Sequence, residues 1–375
     1  MCFNLGDAVL LLSTLIPSNP TSNSFHRRII SFLASVLPDI FSPSGLLYVI
    51  GTLLVALEKP SKELLTGYQI LDQSSVISNA FNVSQTVVNG LSDNKHCSKY
   101  QGENDLWTGV SKNSTICLAN SLTIPEKVSL KSNVVPVLSK LGIAVQDNPA
   151  QIITFSNKIS IAATWKRYLE EDKMRNEFWE SRNKIHKTPM LCEWDNLPFY
   201  QDQKRGFKIV EYPLDPLNKN DKLKFLLILP LERFEPVQGP RSVSEFEKIL
   251  QNMEARYLDF CLPAFKKSET VYLNGYLEEI LGEKIFPKLQ QEALQLMDIN
   301  VAKDDPKVDF KQMIDFEVSA KGLEPMDNSL VKQLPLFGRS TPNESFLCDE
   351  PFDFALYDRE KKSLLILGHF ASPQQ

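Results

Sequence analysis

The sequence predicts an α+β protein with one core and one long loop held outside that core near the C-terminus. Three observations carry this. Before residue 60, apolar residues recur at helical spacing. From residue 207 onward they come in short runs bounded by turn residues, the pattern of strands. Between two of those runs, residues 322–345 carry turn residues and no period. An irregular stretch of that length in a compact domain is usually functional or disordered.

Taken in order, residues 25–37 read as an amphipathic helix, with Phe25, Ile29, Phe32, Leu33 and Val36 on one face and Pro38 ending it. Residues 44–57 are almost continuously apolar, and a helix apolar all round is a buried one. Residues 83–112 are polar and loop-like. Residues 115–124 read as a strand, 207–212 and 224–230 as two adjacent strands, and 260–265 as another. Residues 274–281 and 283–289 suggest two short helices, and 310–319 an imperfectly alternating strand. Residues 352–357 and 364–370 form a hairpin around the polar turn 358–362. No repeat and no Pro- or Gly-rich linker divides the chain. Residues 25–375 are therefore expected to be a single domain, after an N-terminal extension or signal peptide over 1–24.

Composition narrows the function. With 375 residues, 43% of them hydrophobic, the chain can bury a large core. A net charge of −5 is not the footprint of a nucleic-acid binder. No apolar run approaches the roughly 20 residues that cross a bilayer. The apolar run 8–16 has the length of a signal-peptide core, but Asp7 precedes it and no Lys or Arg does; a short buried helix is the other reading. The six cysteines include no CxxC pair, so neither a zinc site nor a disulfide framework is indicated. Cys117, Cys261 and Cys348 lie in apolar surroundings and are expected as free core thiols. Glycosylation triplets at Asn82, Asn113 and Asn343 tilt the expected compartment toward extracellular rather than cytoplasmic.

Catalytic signatures are missing. HExxH, GxSxG, GxGxxG, the phosphate-binding GxxxxGK[ST] loop and Asp-rich calcium loops do not occur. Of the four histidines, His369 lies in an apolar strand and is expected as a hydrogen-bonded sheet residue. His96 beside Cys97 is chance adjacency in a polar loop. The run from Glu170 to Lys173 reads as solvated surface. The expectation is a non-enzyme with no metal and no cofactor.

Several segments resemble the serpin superfamily. Phe346-Leu347-Cys348-Asp349-Glu350-Pro351-Phe352 looks like the family's F-x-[AC]-[DN]-x-P-F box, and the stretch from Leu364 to Phe370 followed by Ser372-Pro373 looks like its closing strand and ending. Ile40-Phe41-Ser42-Pro43-Ser44 resembles the F-S-P-x-S element, and Ala119-Asn120-Ser121-Leu122 the A-N-S/A-L strand. Glu211-Tyr212-Pro213 with Leu226-Leu227-Ile228-Leu229-Pro230 resembles the paired central strands, and Leu262-Pro263-Ala264-Phe265 the L-P-x-F strand. Each motif is weak alone; their shared order from about residue 25 to 373 is specific.

The resemblance implies three β-sheets, surrounding helices, a monomer, and a reactive loop over 322–345 that a chymotrypsin-like or trypsin-like serine protease attacks. In the family's inhibitors the cut loop inserts as a new central strand while the protease stays trapped as an acyl-enzyme. The family's usual loop length places the scissile bond near Leu336 and Phe337, with Arg339 and Ser340 as the trypsin-like alternative. The basic residues Lys321, Lys332 and Arg339 are too sparse for a polyanion site.

The chain departs from the family at several points. After hinge residue Gly322 comes Leu323, where inhibitors carry Thr or Ser; Glu324 is kept, and Pro325 and Asp327 then stand where inhibitors carry a run of alanines. Leu323, Pro325 and Asp327 share the face that turns inward on insertion. Pro325 has no N–H for a central strand, and Asp327 would bury a charge. This favours the alternative of a non-inhibitory carrier, chaperone or interaction protein. The family's buried polar cluster uses two serines, an Asn and a His. Ser42 fits the first, Gly45 stands at the second, Gln312 replaces the His, and Ser160-Ile161-Ala162 stands where the Asn is expected. The segment between Val145 and Ile159 is too short to hold the helix that covers the large sheet.

Overall fold

A computed structural model describes residues 40–42, 45, 53, 56–57, 116–140, 143–149, 151–161, 163–214, 223–235, 243–298, 307–323, 341–359 and 363–373. The expected helix 25–37 and loop 83–112 lie outside these residues. Strand β1 (Ile40–Phe41) comes first. Gly45, Leu53 and Ala56 are helical and buried, as the apolar run predicts. Then follow β2 (Ile116–Pro125), α1 (Val134–Lys140), β3 (Ile143–Asn148), β4 (Ile152–Ile161), β5 (Ala163–Thr164) and β6 (Glu170–Asp172). The middle of the chain holds β7 (Glu177–Ser181), β8 (Lys184–Lys187), β9 (Met190–Asp202), β10 (Phe207–Tyr212), β11 (Leu223–Pro230) and α2 (Val243–Gln251). The remainder is β12 (Glu254–Pro263), β13 (Phe265–Tyr272), α3 (Asn274–Leu294), β14 (Lys307–Ser319), β15 (Gly322–Leu323), β16 (Glu344–Leu347), β17 (Phe352–Asp358) and β18 (Ser363–Phe370). The described strands form three sheets, of nine, seven and two strands, which bears out the three-sheet α+β expectation.

Two compact units share the chain, each assembled from separated stretches. The first takes Met1–Pro43, Ile161–Ser268 and Asp315–Gln375; the second takes Ser44–Ser160 and Glu269–Ile314.

The first unit contains the nine-stranded sheet, ordered β1-β18-β17-β11-β10-β9-β12-β16 with β6 beside β9. Its centre is the antiparallel pair β10 and β11. From Phe225 to Leu229 no residue is more than 1% exposed, which is why that strand is a continuous apolar run and does not alternate. β17 and β18 pair antiparallel, as the expected hairpin requires, and set Asp353 directly opposite His369. His369 Nδ1 lies 2.7 Å from Asp353 Oδ1, so this histidine is the hydrogen-bonded sheet residue expected. An aromatic column fills the unit. Trp165 meets Tyr212 edge-on at 5.1 Å, Tyr212 stacks on Phe260 at 4.7 Å, and Phe260 stacks on Phe346 at 6.2 Å. Such pairs each add about 0.5–1.5 kcal/mol beyond the area they bury.

In the second unit the strand order is β3-β2-β4-β14. β3 runs parallel to β2, with α1 as the crossover between them. Burial in β14 alternates without a fault, and Val308, Phe310, Gln312 and Ile314 all face the core. The sequence pattern looks imperfect because one inward position, Gln312, is polar. Only residues 149–151 join β3 to β4, so no helix lies between them, as the short segment predicts.

Two element assignments need correction. Residues 274–294 form one helix, α3, where two were expected. Pro287 lies inside it and removes one backbone hydrogen bond, a loss outweighed by the buried Leu277, Phe286, Leu289 and Ala293. The charged stretch near residue 170 reads as solvated surface, and Glu170 and Glu171 are indeed exposed. It nonetheless forms β6, because backbone pairing with β9 does not depend on what those side chains face.

Candidate functional site

The hinge was expected to leave the core at Gly322. It does not. β14 ends at Ser319, the chain turns over Ala320 and Lys321, and Gly322 and Leu323 re-enter the sheet as β15. On one side β15 pairs antiparallel with β14, Val318 opposite Leu323 and Ser319 opposite Gly322. On the other it pairs antiparallel with β5, Gly322 opposite Thr164 and Leu323 opposite Ala163. Leu323 is 0% exposed. Gly322 and Leu323 therefore belong to the sheet, where the sequence suggests an exposed loop from residue 322 onward. The reason is the apolar side chain of Leu323, which is worth about 1.5–3 kcal/mol when fully buried.

Gly322 permits this path. Its φ is +153°, and a Cβ there would stand 2.0 Å from the carbonyl oxygen of Ala163 and 2.8 Å from Thr164 Cα. Both obstacles are backbone and cannot rotate away.

A clasp of hydrogen bonds holds the turn. The Ser319 hydroxyl donates to the Gly322 carbonyl (3.1 Å) and accepts from the Lys321 N–H (3.2 Å). The Trp165 indole N–H donates to the Ser319 carbonyl at 2.7 Å. The Trp165 and Leu169 amides donate to the Lys321 and Ala320 carbonyls, each at 3.0 Å. Every carbonyl of the turn from Ser319 to Gly322 is thereby engaged. Trp165, fully buried, is the common element, and sequence reasoning gave it no role.

The other end of the loop returns as β16, parallel to β12, with Phe260 opposite Phe346 and Cys261 opposite Leu347. Trp165 under the hinge and Phe346 in the return strand are the two ends of the aromatic column. One core therefore roots both ends of the loop.

The buried polar cluster also differs from expectation. Asn157, 0% exposed, is the asparagine sought at Ser160-Ile161-Ala162. Its Nδ2 donates to Asn120 Oδ1 at 2.8 Å. A Cβ at Gly45 would lie 2.3 Å from Asn157 Oδ1 and 2.6 Å from Gln312 Nε2, so glycine at 45 makes room for two amides. The structure thus brings Gly45, Asn157, Gln312 and Asn120 together. Ser42 instead donates its hydroxyl to the Leu365 carbonyl at 2.6 Å, in the first unit. The Asn stands three residues before the Ser160-Ile161-Ala162 stretch where the motif places it. Asn157→Ala is expected to lower stability by about 1–3 kcal/mol, because it strips Asn120 Oδ1 of a buried donor. Equilibrium urea unfolding measures this, and an unchanged midpoint would remove Asn157 from the cluster.

Cys261 is not a free thiol. It is joined to Cys192 by a disulfide, with Cα atoms 4.2 Å apart. Scattered cysteines gave no spacing signal for this pair, which arises only because β9 and β12 place the two residues opposite one another. Cys348 is free and buried, as expected. Asn343 is exposed just before β16. The hinge residues Glu324, Pro325 and Asp327, the scissile candidates Leu336, Phe337, Arg339 and Ser340, the sequons at Asn82 and Asn113, and the side chain of Cys117 lie outside the described residues.

Comparison with known proteins decides the family. The family profile described as Serpin (serine protease inhibitor) matches residues 140–373. This chain belongs to the serpin family. An uncharacterized serpin-like protein of Thermococcus kodakarensis is 25% identical over 231 residues, 60% of this chain and 51% of the relative. Human Serpin B4 is 26% identical over 223 residues, 58% of this chain and 55% of the relative. The serpin thus matches about half the length of these curated relatives. The structure of a serpin from the trematode Schistosoma haematobium superposes with a TM-score of 0.70 at 13% identity, covering 95% of this chain and 100% of that one. At that identity the likeness speaks for the fold alone.

Proposed function

We propose that this serpin inhibits a serine protease by offering the loop between β15 and β16 as a suicide substrate. The register of β15 carries this reading. The first two residues after the turn already occupy the position between β14 and β5, as the start of an inserted strand. Cleavage would let the rest of the loop follow in the same register. The family description, serine protease inhibitor, supports the class of partner.

The same register locates the obstacles. Two residues beyond Leu323, Pro325 would stand opposite Phe316 of β14, and Asp327 opposite Ile314, both core-facing positions. Pro325 offers no N–H to the ladder, and Asp327 would bury a carboxylate against an apolar side chain. Both slow insertion. A slow insertion lets the acyl-enzyme hydrolyse, so this serpin releases part of its protease after cleaving. Leu336 and Phe337 are the proposed scissile pair for a chymotrypsin-like partner, with Arg339 and Ser340 for a trypsin-like one. An extracellular setting is supported by the Cys192 to Cys261 disulfide and the exposed Asn343 sequon.

Chymotrypsin and trypsin, each mixed with the full chain and run on a denaturing gel, test the proposal. A covalent complex is expected beside a band of cleaved chain, and Pro325→Ala with Asp327→Ala should shift product from the second to the first. Cleavage with no complex in either chain would overturn inhibition and leave the carrier or interaction role.

A further inference from the structure

We propose that the disulfide between Cys192 and Cys261 is a thiol-exchange site, at which a small thiol becomes covalently attached to Cys192. The two sulfurs differ in their surroundings. Cys192 is half-buried, whereas Cys261 is 1% exposed, so Cys192 is the more accessible of the two residues. Arg175 Nη1 donates to Cys261 Sγ at 3.1 Å. The guanidinium is held in place by Asp259 Oδ1 at 2.7 Å, and that carboxylate also accepts the Trp194 indole N–H at 3.1 Å.

The chemistry follows from this asymmetry. The thiolate of a small thiol attacks Cys192 Sγ. A new sulfur–sulfur bond forms there, and the old bond breaks with its electron pair leaving on Cys261 Sγ. The departing thiolate is met by an N–H of a permanent cation, which turns a neutral contact into a charge-assisted one. Asp259 opposes that charge, but its own charge is shared between Arg175 and Trp194. A better-stabilised leaving thiolate departs faster, and the sulfur attacked is the one within reach. Cys348 does not compete as an internal nucleophile. It is buried, and desolvation pushes its pKa well up. The sheet survives the opening of the bond, because β9 and β12 remain paired from Glu254 opposite Phe199 to Pro263 opposite Met190.

Glutathione at millimolar concentration, added to the native full chain, provides the test. Intact-mass and peptide analysis are expected to show one adduct, on Cys192, with Cys261 left as the alkylatable thiol and the circular dichroism unchanged. Arg175→Gln is expected to slow adduct formation about tenfold. Site selectivity in the unmodified chain stands independently of that variant's folding, and it should vanish when the chain is denatured first. An adduct on Cys261, an equal mixture in the native chain, exchange no faster native than denatured, or both cysteines alkylated before thiol is added would each overturn the proposal.

Discussion

Gly322→Val is expected to expel the hinge from the sheet, lower the stability of the serpin by about 2–3 kcal/mol and abolish covalent trapping while leaving the loop cleavable. The Cβ of any residue at 322 would be driven onto Ala163 O, 2.0 Å away, and the obstruction is backbone. The chain cannot keep β15 between β14 and β5 under that constraint. Leu323, now 0% exposed, leaves the core with it, and its burial sets the size of the loss. In the proposed mechanism insertion begins with this pair of residues, so a hinge held out of register would not start it. The midpoint of the first urea transition, together with the gel assay for complex, reads both effects. Lys321→Ala, at an exposed position of the turn, is the matched control and should change neither. Unchanged stability and full complex formation in Gly322→Val would mean that β15 is not part of the working molecule.

The second large effect lies away from the loop. Glu211 and Lys224 form an ion pair at 2.8 Å with side chains only 10% and 6% exposed. Glu211→Ala removes the carboxylate and leaves the ammonium in a site with little access to water, at a cost of about 3–5 kcal/mol. The paired replacement Glu211→Leu with Lys224→Met removes both charges and keeps the volume, and it is expected to recover most of that loss. Thermal unfolding of the single and double variants forms the comparison. If the double variant is as unstable as the single one, the pair is stabilised by contacts other than its own charges. Loop cleavage by chymotrypsin should be the same in both, because the pair lies on β10 and β11 and not on the hinge strand β15.

Legibility varied with how local each signal was. The strands around Phe225 and Phe354 were readable because a buried strand needs apolar residues wherever it runs, and both carry them. β6 was not, because its stability comes from pairing with β9 and its side chains are those of a solvated surface. The two-helix reading of α3 divided it at residue 282, inside what is one continuous helix from Asn274 to Leu294. Asn157 was missed because Ser156, Asn157 and Ser160 of β4 are all buried, and only the folded chain shows which of them meets Asn120.

The amino-acid sequence by itself determined the family, the order of the C-terminal strands and the absence of a helix between β3 and β4. These are written in short contiguous motifs and in the number of residues available. Only the tertiary structure decided that Leu323 is inside the sheet, that Trp165 clasps the turn, that Gly45 sits against Asn157 and Gln312, and that Cys192 reaches Cys261. Each of these joins segments far apart in the chain, and which residues end up opposite one another is set by strand register, a property that no single segment carries.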